Sequence, residues 1–242
     1  MSLRKKVLIL ILTLTLLSSK ETGMAQPPIN TSTSQWTQKV YDFNDPADFK
    51  EALSKGYLAY GDKAISKVNQ LISQKAMGSP GYEMSNALSD KEKVLIKHEG
   101  FSSVPYKDTA GVETIGIGQT GKYKTPGDIL SGFRQAVKDK EVDALTQFGD
   151  SYVNAPSQTQ GALLSLVYRG DTVYDKNSKR AGQIMNWVGK YNKAVQSGNQ
   201  KDMDDAYNEF WNHGEYNREL KNPTGVLARI RENSQILFGK SK

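Results

Sequence analysis

From residue 85 onward the sequence is written almost entirely in helix text, and one stretch breaks it. Residues 99–121, Glu99-Gly100-Phe101 through Gly118-Gln119-Thr120-Gly121, carry five glycines and a short alternating run, Thr114-Ile115-Gly116-Ile117-Gly118. Ser89-Asp90-Lys91-Glu92 is a capping box that opens a helix stopping at Gly100. The interruption therefore reads as a helix end, a turn and a short hairpin, with a β patch over roughly 104–119. Helical periodicity returns at 127–148, 157–168, 181–196, 200–212 and 224–237. The most apolar of these, 157–168, has Ala162, Leu163, Leu164, Leu166, Val167 and Tyr168 and is the expected core helix. Together these features predict an α+β fold: a mostly helical domain with a small β-hairpin region, preceded by a short helical extension.

The N-terminus carries a targeting pattern. Arg4, Lys5 and Lys6 precede an apolar run from Val7 to Leu17, and Gly23-Met24-Ala25 supplies small residues for cleavage. That run is shorter than the ~20 residues a spanning helix needs, so residues 1–25 read as a signal peptide rather than an anchor. An exported protein, periplasmic or secreted, is expected, with no stable membrane span after cleavage. Residues 26–84 read as a linker followed by a helical extension. Asp45-Pro46 marks a helix start, and Phe49, Leu53, Tyr57, Ile65, Val68, Leu71 and Ile72 form an apolar stripe over 46–75, interrupted near Gly61. A break at Gly78-Ser79-Pro80-Gly81 separates it from residues 85–242. The extension is expected to be a cap or spacer, with recognition of a partner as the alternative.

Charge and composition narrow the chemistry. The chain is +6, and residues 1–25 carry +3 of that, so the remainder is only modestly basic. A weak positive balance suits approach to an anionic surface such as a cell wall and is too diffuse for nucleic acid. With no cysteine and only His98 and His213, a His/Cys zinc site has no ligand set, and no cofactor is expected. Gly116-x-Gly-x-x-Gly121 matches a dinucleotide regex without the helix that should follow it, and no Gly-x-Ser-x-Gly elbow is present.

Two carboxylates remain. Glu99 sits at the end of its helix, near the edge of the stripe that includes Val94 and Leu95, where burial and the helix dipole both oppose a negative charge. Asp108 belongs to a polar turn, Lys107-Asp108-Thr109-Ala110-Gly111, where water and backbone N–H groups favour its charge. Environments that differ in this way make an acid/base pair. Thr114 opens the alternating strand and could face the same cleft. Taken singly, a helix-terminal Glu is usually solvated, an Asp before Thr-x-Gly usually forms a turn, and a strand Thr usually reflects β propensity.

The joint spacing Glu99-x8-Asp108-x5-Thr114, with Glu99-Gly100-Phe101, Tyr106-Lys107-Asp108-Thr109-x-Gly111 and Thr114-Ile115-Gly116-Ile117-Gly118, resembles the phage-type lysozymes, glycoside hydrolase family 24. Gln160 to Tyr168 resembles that family's core helix and Leu227-Ala228-Arg229-Ile230-Arg231-Glu232 its closing helix. The core-helix text is also similar, more weakly, to the muramidase domain of pesticin-type bacteriocins. The resemblance covers residues 85–242. It implies Glu99 as general acid, Asp108 as the carboxylate that stabilises positive charge and helps activate water, and Thr114 as the group positioning that water. It also implies Tyr106, Gly118 and Gln119 as substrate contacts. The implied reaction is cleavage of the β-1,4 bond between N-acetylmuramic acid and N-acetylglucosamine in peptidoglycan glycan strands, with inversion and carboxylates ~6.5–9.5 Å apart. Gln119 stands where the family usually has a histidine in a structural ion pair, and Val167-Tyr168-Arg169-Gly170 lacks an asparagine often found there. Competing readings are a lysozyme-fold module that binds glycan without cutting it, an interaction protein with an immunity or secretion partner, and a lytic transglycosylase.

Overall fold

A computed structural model describes residues 39–76, 87–108, 111–120, 128–221 and 226–242. The stretch read above as a signal peptide, most of the one read as a linker, and the expected break at 78–81 lie outside these residues. The structure divides into two compact units, with the division falling between Ala136 and Val137. Among the described residues, no helix is long and apolar enough to cross a membrane.

The first unit is organised around one strand. The chain enters through β1 (Tyr41–Asp42), α1 (Pro46–Ser54), β2 (Leu58–Ala59) and α2 (Asp62–Ala76). It continues through α3 (Asp90–Glu99), β3 (Phe101–Lys107), β4 (Glu113–Gly116) and β5 (Gln119–Thr120). Helix α1 starts where Asp45 accepts from the Ala47 N–H (2.8 Å) with Pro46 behind it, and Gly56 (φ +67°) turns the chain just past its end. Helix α3 opens on the expected capping box: the Ser89 hydroxyl accepts from the Glu92 N–H (3.3 Å), and the Glu92 carboxylate accepts from the Ser89 N–H (2.8 Å). Arg134, on α4 (Asp128–Phe148), donates to that buried Glu92 at 2.7 Å.

Both short strands of the extension pair with β3. β1 runs parallel to it, Tyr41 opposite Tyr106, and β2 antiparallel, Ala59 opposite Phe101; β4 takes the other edge, Thr114 opposite Tyr106. Between Ser102 and Tyr106 the register with β4 slips, because Pro105 has no N–H to give. The buried Ser102 hydroxyl compensates there by donating to the Val104 carbonyl at 2.7 Å. The expected β patch is present and gains two strands that lie upstream of it. Tyr57, counted above in a helical stripe, lies past the end of α1, and its carbonyl accepts from the Ser103 N–H (2.8 Å). Tyr41, Phe43, Phe49, Ala52, Leu58 and Val104 form one buried cluster, so part of the extension's apolar stripe is core shared with β3.

The second unit is helical: the rest of α4, then α5 (Asp150–Val153), α6 (Ser157–Arg169), α7 (Asn186–Ser197), α8 (Gln200–Trp211), α9 (Gly214–Lys221) and α10 (Val226–Phe238). Helix α6 is the core helix that its sequence predicts, with Ala162, Leu163, Leu164 and Leu166 fully buried. Phe210 is the hub of an aromatic cluster, its ring 4.7 Å from Tyr216, 5.2 Å from Trp187 and 5.4 Å from Phe238. Arg229 of the closing helix donates to both the hydroxyl and the carbonyl of Ser165 at 3.0 Å. Buried Asp171 accepts from Arg169 and from the Tyr216 hydroxyl, each at 2.8 Å.

Candidate active site

Glu99 is the last residue of α3 and is half-buried. Gly100 ends the helix at φ +78°, a conformation an L side chain resists, and its N–H donates back to the Ile96 carbonyl (2.9 Å). The chain then enters β3, so the sharp stop at Gly100 sets where the Glu99 carboxyl emerges.

Asp108 follows β3 directly. Its N–H donates to the Val112 carbonyl (3.0 Å), its carbonyl accepts from Gly111 N–H (2.9 Å), and its Oδ1 accepts from Val112 N–H (2.9 Å). That last bond fixes the direction of the carboxylate through the chain's own turn, as the sequence pattern implied. A support from outside the turn was not foreseen. Asn44, between β1 and α1, donates its side-chain amide to the Asp108 carbonyl (2.8 Å) and to Asp42 (3.1 Å).

Thr114 faces Tyr106 across the β3–β4 ladder and is 4% exposed. Its hydroxyl donates to the Val112 carbonyl (3.1 Å), which leaves the oxygen's lone pairs as acceptors. Tyr106 joins these groups. Its phenol is pushed well above the ordinary tyrosine range, first by burial, then by neighbouring Tyr60, and then by the negative charges of Asp108 and Glu99. Tyr106 thus lies within electrostatic reach of both carboxylates. Phe43 stacks on the Tyr106 ring at 4.2 Å and 16°, holding it from the extension side.

The remaining candidates lie farther along the hairpin. Gly118 makes the β4–β5 turn at φ +74° and is exposed, and Gln119 pairs through its backbone with Ile115. The structure thus gathers Glu99, Tyr106, Asp108 and Thr114 around β3, while Gly118 and Gln119 belong to the turn beyond.

Tyr60 was missed. It follows β2, its ring rests on Gly100, and its phenol is raised by burial and then by the charge of Glu99. The signal available was Tyr57-Leu58-Ala59-Tyr60 between Gly56 and Gly61, a short apolar run bounded by glycines, which is how a buried strand is written.

No curated protein matches the chain at a significant level. A solved structure, the active form of the P1 phage endolysin Lyz, is similar at 18% identity with a TM-score of 0.45, covering 71% of this chain and 93% of that one. The family model for phage lysozyme matches residues 96–231, from the last turn of the helix bearing Glu99 into the closing helix. That span is more than half of the chain and takes in the whole cluster around β3 except its support from the extension, so the chain belongs to the phage lysozyme family.

Proposed function

We propose that this protein is an exported N-acetylmuramidase, cutting the β-1,4 bond between N-acetylmuramic acid and N-acetylglucosamine and so lysing bacterial cell wall. Family membership supports the coarser part directly: a lysozyme-type glycosidase whose substrate is peptidoglycan. The observation that carries the finer part is the pair of carboxylates in unlike settings at the two ends of β3, Glu99 on a helix end and Asp108 in a hydrogen-bonded turn.

In this reading Glu99 gives its proton to the glycosidic oxygen as the bond to the leaving sugar breaks. Asp108, oriented by the Val112 N–H, faces the positive charge that develops at the sugar and accepts a proton from the attacking water. Thr114 holds that water by accepting from it, its own proton being committed to the Val112 carbonyl. Tyr106, kept protonated, offers a neutral donor and an apolar ring to the glycan. Gly118 and Gln119 would meet the strand beyond the reacting sugar. The signal-peptide pattern of residues 1–25 supports delivery across the inner membrane. An immunity or secretion partner is not required by this chemistry.

A carboxylate placed to activate water favours hydrolysis over intramolecular capture by the sugar's own hydroxyl. Mass spectrometry of digested peptidoglycan tests this. Reducing N-acetylmuramic acid ends are expected, and 1,6-anhydro ends would replace this reading with that of a lytic transglycosylase.

A further inference from the structure

The end of helix α3 is not held by its own domain text alone. An α-helix leaves its last four carbonyls without intrahelical partners. Here the Lys97 carbonyl accepts from the N–H of Gly61, at 3.2 Å, a residue of the extension. One residue earlier, Tyr60 lays its ring across Gly100. A Cβ built on Gly100 would lie 2.6 Å from Tyr60 Cε1, 2.7 Å from Cδ1 and 3.0 Å from the Ala59 carbonyl oxygen. The glycine is thus required twice, by its φ of +78° and by the ring seated on it. β2, the strand that delivers Tyr60, is itself fixed by pairing Ala59 with Phe101. His98 and Glu99 lie between these two contacts, Glu99 directly beside the glycine that the ring covers.

We propose that Tyr60 is a positioning residue for Glu99: its ring, seated on Gly100, together with the Gly61–Lys97 bond, fixes the end of α3 so that the acid meets the glycosidic oxygen. The inference rests on the reading of Glu99 as general acid. It gives the extension a role in the reaction itself, where the sequence suggested a cap or spacer. The Tyr60 phenol is raised by burial and then by the charge of Glu99, in keeping with the ring's seat beside that residue. Tyr60 does not touch the sugar chemistry in this account; it acts through the placement of Glu99.

Steady-state kinetics of the full chain on soluble peptidoglycan glycan fragments separates this role from simple support. In Tyr60→Ala, kcat falls by about tenfold or more, the scale expected when a catalytic group is misplaced by about 1 Å, while KM stays within about twofold. Tyr60→Phe, which keeps the ring on Gly100, stays within about threefold of wild type in kcat. Gly100→Ala, which forces the ring off its seat, loses kcat as Tyr60→Ala does, and the double variant is no worse than about the larger single loss, because both break one contact. Folded Tyr60→Ala with wild-type kcat overturns the inference, as does a loss confined to KM or equally large in Tyr60→Phe. Glu99→Gln run alongside separates the two levels. If Glu99→Gln still turns over, the acid assignment fails and this inference with it. If Glu99→Gln is inactive while Tyr60→Ala is not, only the positioning role is lost. A wild-type chain that cuts no glycan overturns both.

Discussion

Phe49→Ala asks whether the extension is an appendage or part of the fold that carries the site. Phe49 is 2% exposed and meets Phe43 edge-on, centroids 5.7 Å apart at 86°. It shares its cluster with Leu58 of β2 and Val104 of β3. Removing the ring forfeits roughly 2–3 kcal/mol of transfer free energy, and the void left behind adds to that. Leu53 and Tyr57 are only partly buried against the cluster and can lean inward, so relaxation is expected to recover some of the cavity cost. We expect a loss of about 3–4 kcal/mol, within the range for a buried Phe→Ala change. That is a large share of the 5–15 kcal/mol typical of a folded domain. Equilibrium urea unfolding followed by circular dichroism and by residual lytic activity measures it, since the two should fall together if β1, β2 and β3 are one cooperative body. A loss below about 1 kcal/mol, or unfolding of the extension that leaves lysis untouched, would refute the reasoning.

Three further outcomes follow from the same geometry. Thr114→Val keeps the shape and removes the hydroxyl, so kcat should drop at least about tenfold with little change in KM; the kinetics of the purified variant check this. The Asp48 carboxyl is held below its ordinary 3.8 by the Asp42 N–H first and by Lys39 second, so it stabilises the fold above that pH and loses this contribution as pH falls through its folded value. Melting temperatures across an acid series should accordingly fall less steeply below pH 3.8 in Asp48→Asn than in wild type. Arg229→Met removes two charged donors from Ser165, whose hydroxyl keeps the Asn233 amide (3.2 Å), and should cost about 1–3 kcal/mol by urea unfolding, the usual scale for hydrogen bonds from a charged group.

How much could be read in advance depended on the range of the interaction involved. Local chemistry was legible. The Ser89–Glu92 capping box, the Asp45-Pro46 start, the stop at Gly100 and the burial of α6 are each written in a few consecutive residues, and each is found. The roles suggested for Glu99 and Asp108 came from their positions on a helix end and a turn, and both positions are as expected. Long-range pairing was not legible. β1 and β2 are two residues each, too short for any periodicity, and they exist because β3 offers them an edge. The supports they bring, Asn44 beneath Asp108 and Tyr60 on Gly100, join residues 64 and 40 positions apart in sequence. A boundary in Gly/Pro composition near residue 80 suggested separate parts, yet residues on either side of it share one sheet. The short helices α5 and α9 also went unread, the first being a single turn.

This pairing changes what truncation can reveal. Deleting residues 26–84 removes β1, β2 and most of the cluster around Phe49, along with Tyr60 and Asn44. Lost lysis in that truncation would report a broken site rather than a missing targeting segment. Point changes on the exposed face of α1, such as at Lys50, probe delivery without disturbing β3.

The most direct test of the central claim is muropeptide analysis of purified peptidoglycan incubated with residues 26–242, wild type beside Glu99→Gln. The account predicts reducing N-acetylmuramic acid ends in the wild-type digest and none above background with Glu99→Gln, whose circular dichroism spectrum should match wild type. Wild-type levels of product from folded Glu99→Gln would contradict it, and a folded wild-type chain that releases no product would make this lysozyme fold a glycan-binding module.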